Sequence, residues 1–243
     1  MSSAIATIFR IFFEFFRIIH GFMNIIRFMQ NFPLWEAPES CYTALSRSQE
    51  DSSMNICIYG ASSNQPEETY FQAAEQLGWR IAEAGHTLVF GGGRDGLMAA
   101  CALGTLAAGG RVIGIAPQMF LDPGFLLEGC SEMLLTESMA ARKERMLAVS
   151  DAFITLPGGI GTMDEFFETI TLKQLGLVDG PLVLLNTGGF YAPLMETLRQ
   201  MAAGGFMSEN CLGLVRVCNT PEEALDAALR PETLLGSLDR LEK

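Results

Sequence analysis

Three glycines, a threonine and two carboxylates fall within the nine residues Pro157-Gly158-Gly159-Ile160-Gly161-Thr162-Met163-Asp164-Glu165. The preceding run, Asp151-Ala152-Phe153-Ile154-Thr155-Leu156, has the length and apolar character of a buried parallel strand. In residues 165–175 the apolar side chains recur at helical spacing. A strand that breaks into glycines and then opens a helix aims free backbone N–H groups, and the positive end of the helix dipole, at one point. That arrangement suits a phosphate. Gly158, Gly159, Ile160, Gly161, Thr162, Met163 and Asp164 are therefore candidate phosphate- and substrate-binding residues. Thr162 can either cap the helix or bond the phosphate. Glu165 is the candidate working carboxylate, with Asp164 its competitor. An ordinary strand-to-helix turn is the plain alternative.

A phosphate also attracts cations, and here they are scarce. The 243-residue chain has a formal net charge of −12, and residues 1–53 set four arginines against five acids, so the remainder carries about −11. A body this acidic lacks the basic face that nucleic-acid backbones require, so nucleic acid is not an expected partner. Against that background Arg142, Lys143 and Arg145 stand out as one cationic run. They can converge on the glycine loop, or form a solvated helix face paired with Glu137 or Glu144. The two histidines, His20 and His86, are too few for a histidine-based triad or metal site. The six cysteines form no CxxC pair; they read as reduced thiols of a cytoplasmic protein rather than disulfides or zinc ligands. No metal and no cofactor is expected.

The elements that must position these residues alternate regularly. Apolar runs at 56–59, 87–90, 111–116, 133–136, 151–156, 181–185 and 214–218 predict about seven short buried strands. Helical spacing is expected over 67–84, 96–108, 138–150, 165–175 and 190–203, and again after Thr220-Pro221-Glu222-Glu223, which resembles a capping box with proline at its first helical position. This rhythm predicts an α/β fold, a doubly wound, Rossmann-like parallel sheet with helices on both faces. Gly60, Gly91 to Gly93 and Pro157 to Thr162 each follow a strand. All three loops should then lie at the carboxyl edge of the sheet, where such folds bind ligands. Residues 117–131 read as a long loop, a lid or substrate-side insertion.

Residues 1–53 form a separate extension to the domain at 54–243. Between positions 8 and 28, Phe and Ile are interrupted by Arg10, Glu14, Arg17, His20, Asn24 and Arg27, too often for a membrane span. Three readings fit: an amphipathic helix touching a membrane or partner, an organelle-targeting leader, or a start site that truly lies at Met54. Residues 31–53 read as a linker.

Pro157-Gly158-Gly159-Ile160-Gly161-Thr162-Met163-Asp164-Glu165 resembles the PGGxGTxxE signature of the Lonely Guy (LOG) family, cytokinin riboside 5′-monophosphate phosphoribohydrolases once widely mislabelled lysine decarboxylases. Arg142-Lys143 is similar to the family's Arg-Lys pair. Two further blocks match, Gly91-Gly92-Gly93-Arg94-Asp95-Gly96-Leu97-Met98 and Ile56-Cys57-Ile58-Tyr59-Gly60-Ala61-Ser62-Ser63. The likeness covers residues 54–229, with the blocks in register. It implies hydrolysis of the N-glycosidic bond of a purine nucleoside 5′-monophosphate, either an N6-modified cytokinin type or AMP, to free base and ribose 5-phosphate. It implies Arg142 and Glu165 as catalytic residues. Gly60, Ser62, Ser63, Gly91, Gly92, Gly93, Gly96 and Lys143 join the substrate-binding set. It also implies a homodimer in which the partner subunit helps complete the pocket. The mean hydropathy of +0.26 agrees with a chain that hides surface in an interface. The sequence departs from the family where Gly60-Ala61 replaces Cys-Gly, where Ala140-Ala141 precedes Arg142, and in the 118–131 loop.

Two rivals remain. Gly91-x-Gly93-x-x-Gly96 formally matches a dinucleotide fingerprint, but no acid ends the next strand to receive a ribose. A nucleotide sensor or carrier of the same fold would bind without hydrolysing; the presence of both Arg142 and Glu165 favours the enzyme.

Overall fold

The computed structural model describes residues 53–121 and 124–231, all within the unit Ser53–Lys243. The expected amphipathic segment and linker before residue 53 lie outside the described residues. Seven strands make one sheet: β1 Asn55–Tyr59, β2 Thr87–Phe90, β3 Arg111–Pro117, β4 Glu132–Thr136, β5 Ala152–Thr155, β6 Leu182–Leu185 and β7 Arg216–Cys218. Their order is β4-β3-β2-β1-β5-β6-β7, and every pairing is parallel. The chain winds outward from β1 to β4, returns to the other side of β1 for β5, and then winds the opposite way. The winding therefore reverses between β1 and β5, with Tyr59 beside Thr155 at the carboxyl end.

The five inner strands are apolar runs because both faces are covered, while the edge strands β4 and β7 stay partly exposed. In β1, Ile56 and Ile58 enter one core while Cys57 and Tyr59 enter the other. Helices α1 (Glu68–Glu83), α2 (Gly96–Ala107) and α6 (Pro221–Leu229) close the first face through Leu77, Ile81, Leu97, Cys101 and Ala224. Helices α3 (Met139–Val149), α4 (Ile160–Gln174) and α5 (Ala192–Ala203) close the second through Met146, Phe166, Met195 and Leu198. Phe166 is fully buried, which contributes about 1.5–3 kcal/mol over an exposed side chain. Helices α1 and α2 touch backbone to backbone: a Cβ on Gly78 would collide with the carbonyl oxygen of Cys101, and one on Gly104 with that of Glu75.

Helix ends follow the local chemistry. Gly85, at φ +75°, ends α1, with Gly85 N–H and His86 N–H bonding the carbonyls of Ala82 and Ile81. Ser138 Oγ caps α3 by accepting from Ala141 N at 3.1 Å. Thr220 Oγ1 accepts from Glu223 N, and the Glu223 carboxylate accepts in turn from Asn219 N. Pro193 sits in the first turn of α5, where its missing N–H costs nothing.

Two expectations are corrected. Helix α4 starts at Ile160 with Gly159 as its N-cap, so Thr162 is an interior first-turn residue rather than the cap. Strand β7 starts at Arg216, because residues Glu209–Leu214 wind into a 3-10 helix capped by Ser208 Oγ. The described part of 117–131 beyond Pro117 is a loop, as expected, and one tied to the body. It opens with a 3-10 turn, Gln118–Phe120, then bridges to the second glycine block: Leu127 N donates to Gly92 O at 2.9 Å and Arg94 N to Phe125 O at 3.1 Å. Among the described residues no helix is long and apolar enough to cross a membrane.

Candidate functional site

The site grows out of the point where the winding reverses. Leu156 N donates to Tyr59 O at 2.8 Å, continuing the β1–β5 pairing one residue past the strand, and Ala61 N then donates to Pro157 O at 3.1 Å. The second glycine block is joined to the first by Leu97 N, which donates to Ala61 O at 2.8 Å. Gly96, at φ +77°, has to be glycine here, since a Cβ would also run into the Ala61 carbonyl. Asn64 completes the junction: Oδ1 accepts from Gly96 N at 2.7 Å and Nδ2 donates to Asp95 Oδ1 at 2.8 Å. Ser62 and Ser63 lie exposed on the rim.

Beyond Pro157 the backbone turns into α4. Gly159, Ile160 and Gly161 are exposed, Ile160 at 91%. A 15-residue helix thus opens toward solvent with first-turn N–H groups that no helical carbonyl can reach. Thr162 is buried behind this turn, in space a Cβ on Gly158 would invade. No side chain caps the helix. A phosphate at this N-terminus would satisfy the unpaired donors and the dipole together.

Glu165 lies in the second turn, 7% exposed, facing Arg142 of α3, also 7% exposed. Arg142 Nη2 stands 3.0 Å from Glu165 Oε1, Arg142 Nε donates to Ile115 O at 3.2 Å, and Nη1 rests 4.0 Å from Met139 Sδ. The guanidinium reaches this position through the gap at Gly91, whose missing Cβ would collide with Nη2. Burial pushes the Glu165 carboxyl up from its ordinary 4.5, and the Arg142 charge draws it partly back. The result is a buried carboxylate whose ionisation is favoured mainly by the Arg142 guanidinium, with Lys143 adding to it.

The neighbouring pair has a different environment. Lys143 Nζ bridges Asp164 Oδ2 at 2.9 Å and Glu168 Oε2 at 3.0 Å. These bonds to Asp164 and Glu168 hold its ammonium pKa above the usual lysine value. Asp164 is more than half exposed. The carboxylate buried beside a glycine loop is thus Glu165, while Asp164 is engaged with Lys143.

Of the residues expected from sequence, the fold brings Gly91, Arg142, Gly158, Thr162 and Glu165 into one cluster. Gly60, Gly92 and Gly96 serve the backbone junctions around it. The alternative of a solvated face pairing the Arg142–Arg145 run with Glu137 or Glu144 is not what α3 displays: Arg142 turns inward to Glu165, and Lys143 meets Asp164 and Glu168.

Sequence reasoning missed the supports. Tyr59 Oη lies 3.0 Å from Thr169 Oγ1, and Thr169 Oγ1 donates to Glu165 O at 2.8 Å. Tyr191 Oη donates to Leu156 O at 2.6 Å. Tyr59, Thr169 and Tyr191 are all buried, and burial raises the pKa of both phenols, keeping them neutral. The one available signal was a polar-tipped tyrosine closing an apolar strand, since a buried phenol needs a partner.

Residues 98–228 match a protein family described as "Possible lysine decarboxylase". A protein of Rhodococcoides fascians, named cytokinin riboside 5′-monophosphate phosphoribohydrolase, is 40% identical over 163 residues, covering 67% of this chain and 82% of the relative. The Oryza sativa subsp. japonica protein named cytokinin riboside 5′-monophosphate phosphoribohydrolase LOG is 36% identical over 168 residues, 69% of either chain. Among solved structures, the molybdenum cofactor carrier protein of Chlamydomonas reinhardtii superposes with a TM-score of 0.57 at 24% identity, over 72% of this chain and 95% of that one, a likeness of fold.

Proposed function

Because this chain belongs to the Lonely Guy family of cytokinin riboside 5′-monophosphate phosphoribohydrolases, we propose that it hydrolyses the N-glycosidic bond of purine nucleoside 5′-monophosphates, releasing free base and ribose 5-phosphate. The observation that carries this reading is the buried Arg142–Glu165 pair one turn behind an exposed glycine-rich helix N-terminus. The two features match the two ends of the reaction. The 5′-phosphate seats on the backbone of Gly158 to Thr162. The ribose, still joined to the base, extends toward Glu165.

As the bond between C1′ and the purine nitrogen stretches, positive charge gathers on the ribose ring. An ionised Glu165 stabilises that charge and accepts the proton of the water that attacks C1′, while the base leaves with the bonding pair and takes up a proton. Arg142 acts on Glu165 rather than as a free substrate clamp. Its Nη2 and Nε are already committed, so its work is to keep the carboxylate charged and aimed. Lys143 and Asp164, engaged with each other, belong to the rim of the pocket.

The same reading takes in a homodimer and a cytoplasmic setting. Trp79 and Leu103 are 46% and 48% exposed on the adjoining helices α1 and α2, an apolar face that a second copy would cover. The cysteines of the described residues are all free thiols, as a reducing compartment maintains them. The test is incubation with AMP and with isopentenyladenosine monophosphate, with free base read by chromatography. Release of base from either supports the proposal, and the faster of the two names the base. Tight binding of both without release would move the chain to the carrier reading.

A further inference from the structure

The site's two halves are each hung on a buried tyrosine, and the tyrosines sit on different elements. The phosphate half begins at Leu156, whose carbonyl stands just before Pro157 and the glycine turn. It has left the sheet ladder, and Tyr191 Oη satisfies it at 2.6 Å. Tyr191 is itself fixed at the N-terminus of α5, its N–H donating to Asn186 Oδ1 at 2.7 Å. The carboxylate half hangs on β1. Thr169 Oγ1 carries one proton and donates it to the Glu165 carbonyl. The proton in the bond between Tyr59 Oη and Thr169 Oγ1 must then come from the tyrosine. This gives a directed chain, Tyr59 to Thr169 to the backbone of Glu165, in a region where these side chains are at most 2% exposed. The Tyr59 ring is held in turn against Phe153, with ring centroids 6.2 Å apart. Nothing in the packing requires either hydroxyl: a phenylalanine would fill the same volume at both positions.

We propose that Tyr59 and Tyr191 are separate positioning residues, Tyr59 setting the Glu165 carboxylate through Thr169 and Tyr191 setting the phosphate loop through the Leu156 carbonyl. The proposal rests on the hydrolase reading, because it assigns Glu165 to the chemical step and the loop to binding. Neither tyrosine touches substrate. Loosening the Tyr59 chain lets the Glu165 turn of α4 shift against Arg142 and leaves the loop in place. Loosening Tyr191 lets the loop sag and leaves Glu165 on Arg142.

The kinetic consequences separate. In the full chain, Tyr59→Phe and Thr169→Val should lower kcat about ten- to a hundredfold with KM within about twofold of wild type. Thr169→Ser, which keeps the hydroxyl, should restore the wild-type rate. Tyr191→Phe should raise KM about tenfold with kcat nearly unchanged. The pH profile adds a readout that packing alone would not move. Glu165 is faced by Arg142 and Lys143 from α3, by Asp164 on its own helix, and by Cys57 and Tyr59 from β1. Of these, Arg142 and Lys143 draw the carboxyl pKa down. Thr169→Val weakens the alignment with Arg142 and should move the acid limb of kcat upward, while Tyr191→Phe should leave it in place.

Calorimetric binding of ribose 5-phosphate keeps the two levels apart: Tyr191→Phe should weaken it and Tyr59→Phe should not. A wild-type protein that binds ribose 5-phosphate but releases no base ends the hydrolase reading and with it the Tyr59 role, whereas weaker binding in Tyr191→Phe still upholds the loop pin. Should Tyr191→Phe fail to fold, Asn186→Ala frees the same tyrosine and carries the same KM prediction; the Thr169→Ser and Thr169→Val pair does this for Tyr59. Folded variants with wild-type constants, or kcat and KM altered alike by both tyrosines, overturn the proposal.

Discussion

Glu165 is the residue on which most of the chemistry turns, and its environment fixes how it should respond to pH. Burial raises its pKa above 4.5 and Arg142 only partly reverses this. The working form is the carboxylate, so activity is present above the raised value and lost as pH falls through it. The acid limb of kcat should therefore have its midpoint above 4.5; a profile flat down to pH 4 would show that Glu165 does not act as an ionised base. Glu165→Gln keeps the shape and one acceptor for Arg142, and should lower kcat about 10²–10³-fold while ribose 5-phosphate binding persists. Gly91 tests the other partner. Its backbone is not in the left-handed region, so what an alanine there meets first is the Arg142 guanidinium. Gly91→Ala should cost about 1–3 kcal/mol of stability but displace the guanidinium. Turnover should then fall by more than about tenfold, with the acid limb moved upward. Gly91→Ala at full rate would mean that Arg142 can leave its slot without consequence.

At the scale of elements, the same chemistry of close approach holds α1 to α2. Gly78→Ala forces a methyl against a backbone carbonyl, which cannot swing aside as a side chain does. The cost should be about 3 kcal/mol, or roughly 6–12 °C in Tm, with kcat at low temperature unchanged because neither helix carries Glu165 or Arg142. An unchanged Tm in thermal denaturation would show that the helices separate freely. The elements were legible in the sequence where burial wrote them. All seven strands read as apolar runs, most plainly the five inner ones that are covered on both faces, and Gly85, Ser138 and Thr220 announced their helix ends by residue type. The start of α4 was not legible, because Gly159 and Gly161 look like loop and the helix there is held by what packs behind Thr162. Nor was the pairing of Arg142 with Glu165, which joins two helices through the space left at Gly91. Gly91 itself reads as a phosphate residue, although its missing side chain serves a guanidinium. Tyr191 gave no signal at all, since its partner is a backbone carbonyl 35 residues away.

For the whole molecule, the described fold is closed at its beginning by Met54, whose N–H meets His86 Nδ1 at 3.1 Å and whose carbonyl accepts from Thr87 N at 2.9 Å. Every residue assigned to the site lies after that point. A chain begun at Met54 should thus fold, pair with a second copy, and turn over within about twofold of the full chain, as catalysis resides in the preorganised site. Light scattering and steady-state kinetics on the two lengths check this. A monomeric or inactive short chain would assign residues 1–53 a part in the enzyme.

The reversal of winding between β1 and β5 also sets the order in which a growing polypeptide can become safe. Strands β1 to β4 each pair with a neighbour in sequence, so that half can assemble as it leaves the ribosome. The second edge of β1 waits for β5, and the Asn55–Asp151 contact that begins their pairing spans 96 residues. At about 5–20 residues per second, that is roughly 5–20 s of synthesis. Throughout it an apolar strand offers unpaired N–H and C=O groups to any other chain. Leu156 and the glycine turn emerge only after β5, so nucleotide cannot shield this edge early. A chaperone that holds the nascent chain would be needed most between β4 and β5, and messages that pause there should yield aggregate rather than enzyme.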